Sequence, residues 1–459
     1  MLHCLYSFLF RIALPFVICR LWWHGQKNPR AFVHWQERLG YVAKARQPVI
    51  WVHAVSVGET IAAAPLVKEL LRRNPEVPVL MTAMTATGSA RARALFGDKV
   101  LYAFSPYDTP GAVRRFVDRV KPRALVLMET ELWPNMISLS DRRNVPVFLI
   151  NARLSERSAR GYERVASLVK PLLRRICWIA AQAEEDASRF LRIGATPSSV
   201  SVTGSIKFDV EISDEIRSQA SALRQKLGVD RPIWIAASTH EGEDRQILEA
   251  HQAVLARHPR ARLMIIPRHP ERFSAVATLI ASMGLTVKRR SMDTGGSSST
   301  DGADPGAESG PTAGSEDRDW EVYLGDTMGE LLMLYGVADL AFVGGSLIER
   351  GGHNPLEPAA WGLPVLSGPH IFNFETIYHQ LAEGQGVFIT PSAGVLAERV
   401  IQLLDDSDAA TRAGGNALEV VSANRGALEK VVDGIVRRVE GCAGTPPAKE
   451  ASFIGSGRR

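Results

Sequence analysis

The chain has 459 residues, of which 46% are hydrophobic and 22% charged, a composition that excludes an intrinsically disordered protein. Its length fits two ordinary domains better than one. Lys and Arg number 54 against 49 Asp and Glu, so the net charge of +5 favours anionic partners without identifying one. The four cysteines form neither a C-x-x-C pair nor a disulfide framework, so we expect a reducing compartment.

Residues 1–25 form an apolar segment that is close to the length needed to cross a bilayer. Arg11 and Pro15 interrupt it, while Trp22 and Trp23 are placed for a membrane interface and a basic stretch follows them. No small-residue cleavage site follows, which disfavours a removable signal peptide. We predict a membrane anchor that either spans the bilayer or lies in its plane, and a buried N-terminal helix remains the alternative.

From residue 49 a short apolar run, a turn and an amphipathic stretch repeat along the chain. The runs are VIWVHA, VPVLMTA, VLYAF, ALVLMET, VPVFLIN and WIAAQ. Continuous apolar strands between helices indicate a parallel sheet that is covered on both faces. We therefore predict a doubly wound α/β domain over residues 26–215, and pairs such as Arg72–Arg73 and Arg114–Arg115 give it either solvated helix faces or a surface for phosphates.

The same alternation restarts after LGVDRP with IWIAAS, RLMIIP, WEVYLG, LAFVGG and PVLSG, which predicts a second doubly wound domain over residues 216–445. Within it, residues 291–318 are rich in Gly, Ser and acids, and we expect a disordered loop there. Residues 446–459 are expected to be an unfolded tail. Ligands of such sheets bind at the carboxyl ends of the strands, so two facing domains of this kind predict a cleft between them.

Three loops of the second domain have the residues of an anion site. In GGHNPLEPAAWG, Gly351 and Gly352 allow tight backbone geometry, and Asn354 and Pro355 suit the start of a helix. Such a helix start has free N–H groups and a positive dipole end that attract a phosphate, although a Pro and a Glu in a first turn are also ordinary helix chemistry. The other two loops are PRHPERF, with Arg268 and His269, and GDTMGELL. Together they predict a site for a nucleotide with few phosphates.

Three stretches of the first domain are candidates for acid–base chemistry. WVHAVSVGET places Glu59 at the start of a helix, where the dipole is expected to keep it ionised and where a general base for an incoming hydroxyl could sit. An acid at a helix start is also common for stability alone. VLMETELWPN carries Glu129 and Glu131 on one face of a strand end, and GSIKFD offers Lys207, which could meet a carboxylate or a leaving phosphate or be solvent exposed.

Common nucleotide and metal motifs are missing from the sequence. There is no G-x-x-x-x-G-K-[ST], and no G-x-G-x-x-G follows the first strand of either domain, which disfavours P-loop NTPases and dinucleotide dehydrogenases. STHEGED lacks the second His of a metalloprotease, and no other spacing resembles a metal site. We therefore expect catalysis without a metal or other cofactor, and no nucleic-acid partner.

Eight motifs in order, HAVSVGET, METELWPN, NARLS, GSIKFD, STHEGE, PRHPERF, GDTMGELLMLYGVADLAFVGGS and ERGGHNPLEPA, resemble the transferases that attach 3-deoxy-D-manno-octulosonic acid (Kdo) to the lipid A precursor of Gram-negative bacteria. The resemblance covers nearly the whole chain. It implies a GT-B glycosyltransferase with two facing Rossmann-like domains, CMP-Kdo as donor, lipid IVA as acceptor and no metal. It also implies an N-terminal anchor in the inner membrane, with the enzyme on the cytoplasmic side.

The resemblance also implies roles for individual residues. Glu59 would be the general base of an inverting displacement, and Glu129 and Lys207 would support the transition state. The residues that would contact CMP are Arg268, His269, Met328, Gly329, Glu330, Asn354, Pro355, Leu356 and Glu357. Two alternatives are a soluble epimerase of a UDP-sugar, which should need no membrane segment, and a membrane-tethered nucleotide-binding protein without catalysis.

Overall fold

The computed structural model describes residues 2–27, 34–293 and 320–443. The chain divides into two compact units, one built from the residues up to Asp209 and from Asn424 onward, and the other from Val210–Ala423. Each unit contains one seven-stranded sheet in which every neighbouring pair of strands is parallel. The predicted α/β class with two doubly wound sheets is confirmed.

The first sheet has the strand order β3-β2-β1-β4-β5-β6-β7, so the chain winds outward in both directions from β1. Its strands are β1 Val49–His53, β2 Val79–Ala83, β3 Leu101–Phe104, β4 Pro122–Met128, β5 Val147–Ala152, β6 Trp178–Ala181 and β7 Val200–Val202. The helices of this unit are Leu2–Lys27, Val57–Arg73, Ala86–Phe96, Pro110–Val120, Pro134–Asp141, Glu156–Arg164, Ala166–Leu173, Glu184–Arg192 and Ala427–Ala443, with 3-10 turns at Trp35–Leu39, Gly97–Lys99, Pro197–Ser199 and Ile206–Phe208.

The second sheet has the order β10-β11-β9-β8-β12-β13-β14. Its strands are β8 Ile233–Thr239, β9 Arg262–Pro267, β10 Val287–Arg289, β11 Val322–Leu324, β12 Leu340–Val343, β13 Val365–Ser367 and β14 Val387–Ile389. The helices are Asp214–Leu227, Asp244–Arg257, Phe273–Ser282, Arg290–Asp293, Leu331–Tyr335, Leu356–Ala360, Glu375–Glu383, Ala393–Asp405 and Ser407–Ala423, with a 3-10 turn at Pro270–Arg272. Of the expected disordered segment 291–318, only residues 291–293 are described, in a short helix, and the rest lies outside the described residues, as does the tail 446–459.

Both faces of each sheet are buried, as the continuous apolar runs predict. In β1, Trp51 packs on one face against Phe116 at a ring distance of 4.7 Å, while Val52 packs on the other face in the cluster that includes Leu66. Strands β7, β10 and β14, which the sequence pattern did not indicate, are three-residue edge strands. An edge strand is covered incompletely and needs no continuous apolar run, so its pattern is weak.

The last helix belongs to the first unit, which differs from the expected second domain of residues 216–445. Val431 and Ile435 on this helix pack in the same core as Val52 and Ile206. Asp209 accepts hydrogen bonds from the backbone N–H groups of Gly426 and Leu428, both at 2.7 Å, and so fixes the start of the helix. The chain therefore returns to the first unit after Ala423.

The N-terminal helix is attached to the first unit by polar side chains near its start. Tyr6 donates a hydrogen bond to Asp108 at 3.0 Å, and Ser7 donates one to the side chain of Asn135 at 2.9 Å. On the opposite face an apolar row of Leu5, Phe8, Leu9, Ile12 and Phe16 is exposed. The stretch Leu2–Trp23 is long and apolar enough to cross a membrane and has no buried residue, so the alternative of a buried N-terminal helix does not hold.

Candidate active site

Glu59 lies directly after β1, in the first turn of helix Val57–Arg73. Ser56 is the N-cap of this helix, and its hydroxyl accepts the Glu59 N–H at 3.3 Å and donates to Glu59 Oε1 at 3.1 Å. The Val55 N–H donates to Glu59 Oε2 at 2.8 Å. This reciprocal capping box holds the carboxylate in one orientation at the carboxyl end of the strand.

The electrostatic balance at Glu59 differs from the expectation that the helix dipole dominates. Burial of the half-buried side chain raises the pKa of Glu59 above its ordinary value, against the opposing effect of the hydrogen bonds from Val55 and Ser56. The nearby charge of Glu129 raises this pKa further, and Lys207 lowers it. A carboxylate with a raised pKa is a stronger base, which suits proton abstraction better than a carboxylate that is stabilised only by a dipole.

Glu129 lies one residue beyond β4 and is held between two cations. Lys207 Nζ is 2.9 Å from Glu129 Oε1, and Arg153 Nε is 3.3 Å from Glu129 Oε2. The Glu129 side chain is only 14% exposed, so burial weakens solvent screening of both pairs. The structure therefore brings together two predicted residues, Glu129 and Lys207, that lie 78 positions apart, and it adds Arg153, which the sequence analysis did not single out.

Lys207 is held in place by its buried neighbours, which argues against a solvent-exposed linker. It lies in the 3-10 turn Ile206–Phe208, whose two apolar residues are 1% and 2% exposed. The buried side chain of Asn151, at the end of β5, accepts hydrogen bonds from Ser205 Oγ and Ile206 N, both at 3.2 Å. The NARLS and GSIKFD motifs therefore meet in space, and the first of them positions the lysine of the second.

Glu131 is a half-buried carboxyl for which no ion pair is found among the described residues. Burial, followed by the charge of Glu59, raises the pKa of Glu131 to about 7. The E-x-E pair therefore contains two different groups: Glu129 is neutralised by Lys207 and Arg153, whereas Glu131 shares its surroundings with Glu59. From the sequence Glu131 was placed beside Glu129 on one face of a strand end, but it was not among the expected site residues.

All nine residues expected to contact CMP lie in segments that follow strands at the carboxyl edge of the second sheet, seven of them in loops and two, Leu356 and Glu357, at the start of a helix. Strands β11, β9, β8 and β12 are consecutive neighbours in this sheet. Met328–Glu330 follow β11, Arg268 and His269 follow β9, and Asn354–Glu357 follow β12. The loop after β8, which carries His240 and Glu243, lies between them. From the sequence it was an incomplete metal motif and one of the eight motifs of the family resemblance, but neither residue was expected in the site.

The loop after β12 differs in detail from the predicted helix start. Helix Leu356–Ala360 has only five residues, and Pro355 rather than Asn354 precedes its first residue. Asn354 still satisfies the helix start, because its Oδ1 accepts the Leu356 N–H at 3.1 Å, and its Nδ2 is 3.4 Å from Glu357 Oε1. Burial raises the pKa of Glu357, whereas Asn354 and the charge of Arg268 lower it. Arg268, after β9, and Glu357, after β12, therefore act on one another from either side of β8.

The loop after β11 has one exposed apolar side chain, that of Met328, and one acid, Glu330, that is held by an ion pair. Met328 is 60% exposed, and Gly329 has a φ of +87° with open space around it. Glu330 forms two hydrogen bonds with Arg290, at 2.8 and 3.1 Å, and this pairing lowers the pKa of the Glu330 carboxyl. Because its side chain is occupied in this way, we expect the loop to offer a ligand its backbone.

The glycine-rich turn after β12 binds an anion that belongs to the protein itself. The buried carboxylate of Glu243 accepts N–H groups from Gly345 at 2.7 Å and from Ser346 and Leu347 at 2.9 Å, together with the His240 N–H at 3.1 Å. Successive N–H groups in such a turn form an anion-binding concavity. A carboxylate from the loop after β8 thus occupies the concavity and fixes the geometry of both loops.

Within residues 2–27, 34–293 and 320–443, no group of three or more His, Cys, Asp or Glu side chains is arranged to hold a metal ion.

The protein family described as "3-Deoxy-D-manno-octulosonic-acid transferase (kdotransferase)" matches residues 33–210. The 3-deoxy-D-manno-octulosonic acid transferase of Haemophilus influenzae is 40% identical over 432 residues, which cover 93% of this chain and 96% of the relative. The transferase of the same description from Bordetella pertussis is 36% identical and covers 93% of this chain and 98% of the relative.

Among solved structures, UDP-GlcNAc 2-epimerase from Neisseria meningitidis aligns with a TM-score of 0.54 at 14% identity and covers 85% of this chain and 100% of that one. At this identity the likeness concerns the fold alone, which is GT-B-like with two parallel α/β sheets. The epimerase is therefore similar to this chain in fold alone, whereas the two transferases are similar to it in sequence along nearly its whole length. The chain is an enzyme, and it belongs to the 3-deoxy-D-manno-octulosonic acid transferase family of glycosyltransferases.

Proposed function

We propose that the enzyme transfers Kdo from CMP-Kdo to the lipid A precursor, lipid IVA, with Glu59 as the general base. The observation that carries this proposal is the Glu59 carboxylate, oriented by Val55 and Ser56 at the end of β1 and made more basic by burial. Family membership supports the transferred sugar, and the geometry supports the role of the base.

The proposed reaction is a single inverting displacement. A glucosamine hydroxyl of the acceptor gives its proton to Glu59 while its oxygen forms a bond to the anomeric carbon of Kdo. The bond between that carbon and the phosphate oxygen of CMP breaks, and its electron pair leaves with CMP. Glu129 and Lys207 support the transition state as a neutralised pair, and the charge of Lys207 lowers the pKa of Glu59 against the larger effect of burial.

The proposed CMP site is the carboxyl edge of the second sheet. A phosphate there would meet the guanidinium of Arg268 and the helix that starts near Asn354, which favour the negative charge that builds on the leaving group. His269, Met328, Gly329, Glu330, Pro355, Leu356 and Glu357 complete the proposed contacts with CMP. The proposed reaction uses neither a metal ion nor another cofactor.

The proposed acceptor is a phosphorylated lipid, so we expect it to be bound by the basic first unit and reached from a membrane. The exposed apolar row on the N-terminal helix, together with the exposed Trp22 and Trp23, is suited to contact with lipid acyl chains. We propose that this helix holds the enzyme on the cytoplasmic side of the bacterial inner membrane.

The activity is tested by incubating purified full-length enzyme with CMP-Kdo and lipid IVA and by analysing the lipid with mass spectrometry. We expect a glycolipid that is heavier by one or more Kdo units. Release of CMP without any glycolipid would exclude the transfer reaction.

The membrane role is tested separately by sedimentation with vesicles of phosphatidylethanolamine and phosphatidylglycerol. The double variant Phe16→Ser with Trp23→Ser should leave more protein in the supernatant than the wild type. Met292→Ser removes an equally exposed apolar side chain from the second unit and serves as the matched control. Equal sedimentation of all three proteins would contradict membrane contact through this helix.

A further inference from the structure

Three histidines converge at the carboxyl ends of three neighbouring strands of the second sheet. His269 follows β9, His240 follows β8 and His353 lies in the loop after β12. The rings of His240 and His353 are stacked, with centroids 5.1 Å apart and planes 6° apart, and His269 meets His240 edge-on at 5.4 Å. Only His269 was expected to contact CMP.

A hydrogen bond joins the rings of His240 and His353. Their Nε2 atoms are 2.8 Å apart, a hydrogen-bond distance that requires one nitrogen to donate and the other to accept. The ring whose Nε2 accepts carries its own N–H on Nδ1, so a neutral pair has one further N–H that can donate to a third acceptor.

Hydrogen bonds hold the backbone of both histidines in place, and the His353 ring packs closely against Gly345. The His240 N–H donates to Glu243, and the His353 carbonyl accepts the Tyr378 hydroxyl at 3.2 Å. Gly345, with a φ of +70°, leaves the space that His353 needs, because a Cβ at this position would lie 3.0 Å from the ring. Such a fixed arrangement suits a binding group better than a flexible surface side chain does.

The charges around the pair are positive. After burial, the charges of His269, Arg350, Arg272 and Arg268 contribute to lowering the pKa of His240 to about 4. Burial and then Arg268 lower the pKa of His353 to about 3. The nearest carboxylate, that of Glu243, is turned to the backbone N–H groups of the glycine-rich turn. An anionic ligand would be favoured at this point of the surface.

We infer that the His240–His353 pair binds an oxyanion of the donor through the Nδ1–H of the ring whose Nε2 accepts the hydrogen bond between the rings. This inference rests on the proposed function, in which the donor is a cytidylate-activated sugar acid. Such a donor carries two oxyanions, the phosphodiester and the sugar carboxylate, and the chemistry of the pair suits either. The pair would extend the CMP contacts of Arg268 and His269 across β8 to the loop after β12.

The test compares the wild type with His240→Gln, with His353→Gln and with the double variant, because a glutamine amide can replace Nε2 of an imidazole but not Nδ1 at the same time. Calorimetry measures the binding of CMP and of cytidine, and steady-state kinetics measures the KM for CMP-Kdo. His379→Gln, on an exposed helix face of the same unit, is the matched control. Thermal unfolding identifies any variant that is poorly folded.

If the pair binds the phosphate, each single variant should lose about tenfold in CMP affinity, as expected for one charge-assisted hydrogen bond, and should bind cytidine unchanged. If the pair binds the carboxylate, CMP affinity should persist while the KM for CMP-Kdo rises by a similar factor. In either case the double variant should lose little more than the single variants, because the two rings act as one unit.

The inference would be overturned if folded His240→Gln and His353→Gln proteins bound CMP and used CMP-Kdo like the wild type. It would also be overturned if the wild type bound CMP no more tightly than cytidine and both variants kept its KM for CMP-Kdo. Failure of the transfer reaction with lipid IVA would instead overturn the proposed acceptor, since the comparison of CMP with cytidine needs no acceptor.

Discussion

The carboxylates at the end of the first sheet and the imidazoles at the end of the second sheet occupy equivalent positions in two similar parallel sheets. At the first sheet, Glu59 and Glu131 are half-buried acids with raised pKa values, and Glu129 is neutralised by cations. At the second sheet, the half-buried imidazoles of His240 and His353 have pKa values that burial and nearby arginines lower. The first arrangement favours taking up a proton, and the second favours binding an anion.

This difference teaches that the position of a loop in such a sheet decides where a ligand binds, whereas the charge of its neighbours decides what the loop does. In both units the polar residues follow strands near the centre of the sheet. The order of the strands alone would not distinguish a base from an anion site. Four substitutions separate the two roles, and they follow from the largest expected effect to the smallest.

Glu59→Gln should abolish most of the activity of the first site and leave the second site intact. Glutamine keeps a carbonyl oxygen for the Val55 N–H but cannot take a proton, so we expect kcat to fall by about 100-fold or more with little change in the KM for CMP-Kdo. Glu69→Gln, near the end of the same helix, is the matched control. A variant that keeps more than half of the wild-type kcat would refute the role of the base.

Arg268→Ala should affect donor binding more than the chemical step. Loss of a charge-assisted hydrogen bond to phosphate costs about 1.5 to 3 kcal/mol, so we expect the KM for CMP-Kdo to rise roughly 10- to 100-fold. Arg260→Ala tests the opposite, amino end of β9, where an exposed arginine should be dispensable. Equal kinetic effects from the two substitutions would show that Arg268 acts only through overall charge.

Asp209→Ala should weaken the support of the first site. Asp209 lies two residues after Lys207, and its carboxylate holds the start of the last helix. Loss of such a cap destabilises a protein by about 1 to 2 kcal/mol. Urea denaturation measures this loss, and kcat should fall with it because Lys207 becomes less well positioned. Asp406→Ala removes a local cap at Ala409 and should have the smaller effect on both quantities.

Glu131→Gln should change the pH profile more than the maximal rate. The pKa of Glu131 is about 7, so this carboxyl is neutral below that pH and negative above it. Its ionisation places a second negative charge near Glu59, which makes Glu59 a stronger base. We therefore expect the kcat of the wild type to increase as the pH is raised through about 7, and we expect the kcat of Glu131→Gln to lack this increase. The same rise in Glu131→Gln as in an exposed control, Glu163→Gln, would contradict the coupling.

The central strands could be predicted from the sequence because each is a continuous apolar run, and the motifs after them located Glu59, Glu129 and the loops of the second sheet. The edge strand Val287–Arg289 could not be predicted, because its side chains are only partly buried. The return of helix Ala427–Ala443 to the first unit depends on packing against Val52 and on the cap from Asp209, which no local pattern shows.

Within the sites, what the sequence could not supply was the pairing of distant side chains. Glu243 and His353 are 110 positions apart along the chain, yet both are fixed by the same glycine-rich turn. Arg153 was one of many basic residues until the structure placed it beside Glu129. A histidine directly after a buried strand, as in STHEGE, was the available signal for His240, but the motif was compared with metal sites and with the family pattern and not with an anion site.

The contact between Tyr6 and Asp108 has a practical consequence for work with shortened forms of the enzyme. Asp108 is 1% exposed, and its carboxylate accepts the N–H groups of Asn135 and Met136, at the start of the helix that follows the ELWP sequence. A protein that begins after the apolar helix would lose the phenol that shields this carboxylate from water. Preparing the enzyme in detergent with its first 27 residues intact therefore preserves the support beneath the loop that carries Glu129 and Glu131.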